Sequence, residues 1–199
     1  AGNLSGGNDA VALLANTIAT GAILFVLITM LGPISGAHMN PAVSLVAAAR
    51  RELKWTEAAA YIVAQVGFGI LGAWAAHLMF DLPTLQLSAK ERTGLGQWTG
   101  EAIATFGLIL TIIGTVRNRP AWVPASVALY IVAAYWFTSS TSFANPAITI
   151  ARSLSDSFAG IAPRDVPLFI VAQLIGAAGG GLLARALFDG DSTPAPRSD

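Results

Sequence analysis

The chain contains no cysteine, only two histidines, and as many acidic as basic residues, 11 of each. Without cysteine, a disulfide framework, thiol catalysis and cysteine-based metal sites are excluded. His38 and His77 are far apart in the sequence, so they predict no metal site, and no cofactor is expected. A net charge of zero gives no support to a nucleic-acid partner, because such binding depends on a basic surface.

Charge is also scarce, since only 11% of the residues are charged and 54% are apolar. Soluble domains carry about a quarter charged residues. Several apolar runs here reach the ~17–25 residues that cross the hydrocarbon of a bilayer. We therefore expect a lipid bilayer around the chain. The runs predict five membrane-spanning helices, at residues 9–32, 56–80, 98–116, 121–137 and 166–188.

The lysines and arginines predict the orientation of these spans. Alternating spans place seven of them on one side: Arg50, Arg51, Lys54, Arg117, Arg119, Arg185 and Arg197. The other side receives four: Lys90, Arg92, Arg152 and Arg164. Because cytoplasmic loops carry the excess of positive charge, the first side is predicted to be cytoplasmic. The N-terminus would then begin outside.

A short polar motif occurs twice in these apolar surroundings. Residues 36–45 read "GAHMNPAVSL" and residues 142–151 read "SFANPAITIA". Each copy is followed by a similar apolar helix, which opens with "YIVAQ" in the first case and "FIVAQ" in the second. An odd number of spans separates the copies, so they must face in opposite directions. Inverted repeats of this kind place a permeation or binding site at their interface, near the midplane.

The repeat also suggests how the chain is divided. The second repeat has an extra helix at 98–116, which contains Glu101, and the first repeat has no counterpart of it. We interpret this as the loss of one N-terminal helix, although a natural five-helix form stays open. The expected units are a first repeat at 1–80, an extracytoplasmic loop at 81–97, a second repeat at 98–188 and a C-terminal tail at 189–199.

The segments that follow the two motifs are too short to span a membrane. We expect them to be half-helices, at 41–49 and 146–154. Pro41 and Pro146 suit the first helical position, and Asn40 and Asn145 are favoured N-caps. The asparagine amide N–H groups would then be free to donate to a solute. Two opposed helix N-termini would repel cations and protons, so neutral polar solutes are expected to pass.

These motifs resemble those of the aquaporin (major intrinsic protein) family over essentially the whole chain. "SGAHMNPAV", "YIVAQVGFG", "EAIATFGLIL" and "ANPA" are similar to the family's loop B, third helix, fourth helix and loop E. The resemblance implies an all-α membrane fold with an inverted repeat and two re-entrant half-helices, here lacking the first transmembrane helix. It also implies a homotetramer with one pore per subunit. The residues expected to support the half-helices and loops are Pro41, Ala42, Pro146, Ala147, His38 and Glu101, of which Glu101 resembles a buried glutamate of the family.

The pore constriction departs from the family pattern. The family normally has an arginine directly after the second motif, and Ile148 stands there in this chain. Arg152 comes one turn later and is predicted not to reach that place. Counting from the two asparagines puts Thr20, Ala133 and Ser142 in the constriction together with Ile148. Such a ring would be wide and weakly polar, so larger neutral solutes should pass.

Several other features have simpler interpretations. Tyr135 and Phe143 could refill some of this space, whereas Trp136 and Phe137 suit the bilayer interface. The loop sequence "SAKERTG" is predicted to be an ordinary solvated segment. The glycines at 176–181, with Gly67, Gly69 and Gly72, indicate close packing of helices.

The loop E sequence "YWFTSSTSFANPAITIARSLSDSFAGI" resembles bacterial aquaglyceroporins linked to arsenic resistance. This resemblance implies a passive channel in the bacterial inner (plasma) membrane for arsenous acid, methylated arsenicals, glycerol and water. One alternative is an ordinary water and glycerol facilitator unrelated to arsenic, and another is a fragment without transport activity.

Two further alternatives belong to other classes of protein. An intramembrane hydrolase could use Ser35 and His38, but no acid accompanies them, so no enzyme is expected. An ion-coupled transporter would need a proton-carrying acid, and Glu101 is the only acid well inside a span. We interpret Glu101 as structural.

Overall fold

The computed structural model describes residues 5–188, which form seven α-helices and two short 3₁₀ turns. The helices in chain order are α1 Asp9–Ser35, α2 Pro41–Ala49, α3 Trp55–Met79, α4 Leu95–Asn118, α5 Val123–Phe137, α6 Pro146–Ser153 and α7 Val166–Phe188. Residues 1–4 and 189–199 lie outside the described residues, and with them the start of the first repeat, the predicted C-terminal tail and Arg197.

The predicted all-α membrane fold is confirmed for residues 5–188. The five helices α1, α3, α4, α5 (with the turn before it) and α7 are long and apolar enough to cross a membrane. Their ends lie a few residues from the predicted ones. The helix α1 begins after Asn8, whose side chain accepts from the backbone of Ala10 and Val11. It continues through Pro33 to Ser35 because the left-handed backbone that ends it comes only at Gly36.

The half-helices α2 and α6 do not cross the bundle. The helix α2 has the predicted bounds, whereas α6 is one residue shorter than predicted, because Leu154 has left the helical backbone and caps the helix. Both start at proline and are capped by asparagine, as the motif predicts. The ends of these helices that carry unpaired N–H groups therefore lie inside the protein.

Two helix pairs approach each other very closely. In the pair α4 and α7, a side chain at Gly176 would strike the carbonyl of Ala102, and one at Gly180 would strike that of Phe106. In the pair α1 and α5, a side chain at Gly21 would strike Val132. Small residues of this kind let membrane helices pack backbone to backbone, and these contacts fix the frame around the half-helices.

The helix α3 is the least enclosed of the five spans. It packs on α2 and α6, where Gly69 lies opposite the Ala151 Cβ atom, at 3.7 Å from where its own Cβ would be. Gly67 and Gly72 have no such neighbour within 4 Å among the described residues, so the packing prediction was wrong for them there. In residues 5–188 the first repeat has no counterpart of α4 beside α3. Large apolar side chains such as Phe68, 73% exposed, face outward instead.

The loop between α3 and α4 is tied to the loop that follows α6. The backbone N–H of Ser88 donates to Ser153 O at 2.9 Å, and that of Ala162 donates to Lys90 O at 2.7 Å. Ser88 is 4% exposed and Arg92 5% exposed. The prediction of an ordinary solvated segment was therefore wrong. The backbone of this loop hydrogen-bonds to the end of α6 and to the loop after it, and the loop covers one end of the bundle.

Candidate functional site

The two motifs start their half-helices in the same way. The Asn40 side-chain oxygen accepts from the backbone N–H of Ala42 at 3.0 Å, and the Asn145 oxygen accepts from that of Ala147 at 3.0 Å. These bonds satisfy one of the N–H groups that every helix start leaves unpaired. The amide nitrogen of each asparagine points away from its own helix as a consequence.

Each asparagine amide then reaches across to the other motif. Asn40 Nδ2 donates to the carbonyl of Ala144 at 2.7 Å, and Asn145 Nδ2 donates to the carbonyl of Met39 at 2.8 Å. The two half-helices therefore meet N-terminus to N-terminus. This cross-link uses one N–H of each amide that the motif leaves free to donate outside its own helix. An amide nitrogen carries two hydrogens, so one donor on each asparagine remains.

The backbone before the two motifs is strained in matching positions. Left-handed backbone angles are uncommon for residues other than glycine, yet both loops adopt them at the same three places. The matched pairs, with their φ angles, are Gly36 (71°) and Thr141 (60°), Ala37 (47°) and Ser142 (47°), and Met39 (45°) and Ala144 (46°). Strain of this kind persists only where the surroundings hold it in place. The match of the three positions indicates that the two loops have the same backbone conformation.

The second loop is held by a buried carboxylate. Glu101 is 0% exposed and accepts from the backbone N–H groups of Phe143 and Ala144, both at 2.8 Å. Gln173 Nε2 donates to the same carboxylate at 2.6 Å and to Thr149 Oγ1 at 2.9 Å. Glu101 on α4 therefore joins the loop, the half-helix α6 and the helix α7.

The first loop is held by neutral side chains. His38 Nδ1 lies 3.1 Å from Ser44 Oγ, and Gln65 Nε2 donates to the same oxygen at 3.0 Å. Tyr61 donates to the carbonyl of Ser35 at 3.0 Å. Within residues 5–188, no carboxylate binds this loop as Glu101 binds the second one. The Ser35 hydroxyl bonds within its own loop and helix, to the Ala37 N–H and the Leu31 carbonyl, and not to His38.

Thr20, which the sequence predicts to line the constriction, lies next to Tyr135. Thr20 Oγ1 lies 3.3 Å from the hydroxyl of Tyr135, and Arg152 Nη2 donates to that hydroxyl at 2.9 Å. The long side chain of Arg152 reaches from the last turn of α6 to Tyr135, which itself contacts Thr20. Ile148 is half-buried near the start of α6 and Ser142 is 2% exposed.

Ala133 does not join this group. It lies on an exposed face of α5 with Leu129 and Trp136, which are 66% and 50% exposed. The opposite face of the helix carries Ile131 and Tyr135, both buried. Tyr135, two residues along the chain, makes the contact with Thr20 that the sequence analysis expected Ala133 to share.

A second arginine, Arg92, lies near Arg152 but belongs to the loop between α3 and α4. Arg92 Nε donates to Gly160 O at 2.7 Å and Nη1 to Ser140 O at 2.9 Å, while Asp165 accepts from its backbone N–H at 2.7 Å. Burial, and to a smaller extent the positive charge of Arg152, lowers the pKa of the Arg92 guanidinium to about 10, so it stays charged at neutral pH. Sequence inspection missed this residue because nothing in a polar loop signals that one arginine folds inward.

Both guanidinium groups lie against the same aromatic ring. The Cζ atom of Arg152 is 4.3 Å from the centre of the Phe143 ring, and that of Arg92 is 4.8 Å from it. Cations are attracted to the face of an aromatic ring at such distances. Phe143 belongs to the second loop, so both positive charges lie beside that loop.

Comparison with known proteins agrees with this architecture. The family model described as Major intrinsic protein matches residues 3–142. Aquaglyceroporin AqpS of Rhizobium meliloti (strain 1021) is 58% identical over 170 residues, which are 85% of this chain and 73% of that protein. Aquaporin NIP3-1 of Arabidopsis thaliana and Nodulin-26 of Glycine max are each 30% identical, over 80% and 82% of this chain and 53% and 61% of their own lengths.

The fold and these similarities together assign the chain. It spans about three quarters of the bacterial relative and little more than half of the plant relatives. Its five spanning helices and the similarity to a bacterial channel make it a multi-pass bacterial membrane protein. The chain belongs to the major intrinsic protein family, whose members are channels for small solutes and not enzymes.

Proposed function

We propose that this chain is a passive, wide-pore channel for small neutral polar solutes, with arsenous acid, glycerol and water as its substrates. Methylated arsenicals fit the same apolar lining. The chain would work as a homotetramer with one pore per subunit. The two repeats, 1–80 and 98–188, would form the two halves of each pore, joined by the loop at 81–97.

The observation that carries the proposal is the pair of asparagine-capped half-helices joined head to head. Asn40 and Asn145 keep one N–H each for a solute oxygen after making their cross-link. Each helix N-terminus contributes roughly half a positive charge at the junction. A neutral solute with hydroxyl groups can replace its water there, while a cation meets repulsion.

The width of the pore rests on Ile148. The family normally has an arginine at this position, in the first turn of α6. The smaller aliphatic side chain of Ile148 leaves room where the guanidinium would lie. Arsenous acid is neutral near pH 7 and presents three hydroxyl groups, much as glycerol does. Both solutes could therefore use the same asparagine donors and the same opening.

A second candidate is a water and glycerol facilitator without a role in arsenic transport. The contact of Arg152 with Tyr135 favours it, because both side chains narrow the opening on the side of the second loop. The two candidates differ in whether arsenous acid moves at a rate comparable to glycerol. Flux of each solute into proteoliposomes, measured by light scattering after an osmotic step, separates them.

Ile148→Arg is expected to reduce glycerol and arsenous acid permeability at least tenfold, while water permeability falls less. The added guanidinium would occupy the opening and require larger solutes to displace it. Raising the free-energy barrier to passage by about 1.4 kcal/mol lowers the permeability tenfold. Stopped-flow light scattering on proteoliposomes with equal amounts of reconstituted protein measures all three rates.

Ile148→Leu is the matched control, since it keeps size and polarity and should retain the wild-type rates. Wild-type protein that passes only water would overturn the wide-pore proposal. Equal rates for wild type and Ile148→Arg would show that Ile148 does not line the opening.

A further inference from the structure

An open cleft lies at the end of the bundle where α4 leads into α5. Its volume is about 560 Å³, and ligand sites in proteins usually measure about 300–1,000 Å³. The lining includes Thr115 from α4, Arg119 and Trp122 from the connection between the helices, and Ser126 from α5. Among the described residues no acidic side chain lines the cleft. The lining is therefore polar and carries a positive charge.

The polar groups of this lining have few partners within the protein. Arg119 is exposed, and none of the carboxylates in residues 5–188 forms a salt bridge with it. The side-chain hydroxyls of Thr115 and Ser126 make no hydrogen bond to another described residue. A guanidinium and two hydroxyl groups in one cleft suit a phosphate, whose oxygens can accept from all three. The cleft thus offers an anion several donors that the described part of the chain does not use.

The cleft lies at the depth of the lipid headgroups. Trp122 is 64% exposed at one end of α5, and Trp136 is 50% exposed at the other end. Tryptophan is enriched at both membrane–water interfaces, so these two residues mark the interfaces at the ends of α5. The cleft is at the Trp122 end, on the side that the lysines and arginines predict to be cytoplasmic. Anionic lipid headgroups attract basic side chains at this depth.

An apolar surface continues from the cleft toward the middle of the membrane. Leu129 and Ala133 follow Ser126 on the exposed side of α5, and Leu129 is 66% exposed. An acyl chain can pack on this surface while the phosphate to which it is linked stays in the cleft. A free phosphate ion would gain nothing from the same surface. The combination of a polar cleft and an adjoining apolar face therefore favours a lipid over a free anion.

We propose that this cleft binds the phosphate group of an anionic phospholipid, with Arg119 as the charge partner and the hydroxyls of Thr115 and Ser126 as further donors. The site is separate from the solute pathway, because Ser126 and Tyr135 lie nine residues apart and so on opposite faces of α5. The proposal goes beyond the channel function and does not depend on it. A lipid that binds only the folded chain would also stabilise the junction of α4 and α5.

Native mass spectrometry of the detergent-solubilised protein, titrated with phosphatidylglycerol, tests the proposal. We expect one high-affinity lipid per chain. Arg119→Gln should weaken this binding about tenfold, as expected for the loss of one hydrogen bond between charged groups. Ser126→Ala changes no charge, yet it should weaken binding about threefold, because it removes one neutral donor. Both side chains lie at the surface or are only half-buried, so both variants should fold.

Arg51→Gln is the matched control for the charge. Arg51 is exposed on the side predicted to be cytoplasmic and does not line the cleft, so this variant should bind phosphatidylglycerol like the wild type. Equal losses in Arg51→Gln and Arg119→Gln would show a general attraction to the basic surface and would overturn the site. Wild-type affinity in both Arg119→Gln and Ser126→Ala would overturn it as well.

Two further ligands identify the occupant. Phosphatidylcholine has the same phosphate but no net charge, so it should bind more weakly than phosphatidylglycerol. Inorganic phosphate at the same concentration should not displace the lipid. Phosphatidylcholine that binds as tightly as phosphatidylglycerol would contradict the preference for anionic lipid, and displacement by inorganic phosphate would contradict a lipid site. These measurements involve no transport, so a failure of the channel proposal would leave them unchanged.

Discussion

Replacing Glu101 by alanine is expected to release the second loop and abolish solute transport. The carboxylate is fully buried and accepts from two backbone N–H groups and from Gln173. Each buried donor left without an acceptor costs about 1–3 kcal/mol. The total is then on the order of several kcal/mol. The melting temperature of the detergent-solubilised protein should fall by roughly 10 °C, at about 2–4 °C per kcal/mol for a chain of this size.

Glu101→Gln tests whether the negative carboxylate or only the side-chain shape is needed. The glutamine oxygen can still accept one of the two backbone N–H groups, but its amide nitrogen would face the other. We therefore expect about half the loss of melting temperature and a strongly reduced glycerol permeability.

Glu91→Gln is the matched control for this series. It removes the same charge from a side chain that is 64% exposed, so both measurements should stay at the wild-type values. A Glu101→Gln protein that melts and conducts like the wild type would show that the carboxylate does not brace the loop.

The parts of the fold that depend on local sequence were predictable. Uncharged apolar runs of sufficient length predicted all five spanning helices, because crossing a bilayer sets a length and a composition that can be read directly. Asn40-Pro41 and Asn145-Pro146 predicted where the half-helices start, since capping depends on neighbouring residues alone. Helix ends were less accurate, as α4 begins at Leu95 and not at residue 98.

The contacts of the predicted constriction residues could not be read from the sequence, because they come from distant segments. Counting from the asparagines chose Thr20 and Ala133, yet Ala133 lies on an exposed face and Thr20 contacts Tyr135. Counting residues along the chain does not show how α5 is rotated about its axis. A shift of one or two residues therefore moves a side chain to another face of the helix. The inward fold of Arg92 likewise depends on carbonyls at Ser140 and Gly160, in a segment of the chain far from the loop.

The strained loop backbone also lay beyond sequence inspection. Ala37 and Met39 in one loop, and Ser142 and Ala144 in the other, adopt left-handed angles without being glycine. None of these residue types signals such a backbone. The surroundings impose it: in the second loop Glu101 binds the N–H of Ala144, and the Ala144 carbonyl accepts from Asn40.

Asn40→Asp is expected to make the channel conduct cations. The aspartate can still accept from the N–H of Ala42, but it cannot donate to the Ala144 carbonyl, and it adds a negative charge where two helix N-termini meet. The helix N-termini favour its ionised form. A unit charge ~4 Å away contributes about 4 kcal/mol at an effective dielectric constant of ~20, so cation permeability should rise at least a hundredfold. Proton and sodium leak into dye-loaded proteoliposomes measures this rise.

Asn145→Asp should leak as well, but it should also be less stable than Asn40→Asp. The new carboxylate would lie one residue from Ala144, whose N–H binds Glu101, so two negative charges would share one buried region. The first loop has no such carboxylate among the described residues, and there the substitution adds charge without that repulsion. Asn118→Asp, at the end of α4, is the control and should neither leak nor melt early. Equal stability of the two motif variants would show that the charge of Glu101 does not interact with the residue at position 145. Vesicles that leak no cations with either variant would show that the junction is not the cation barrier.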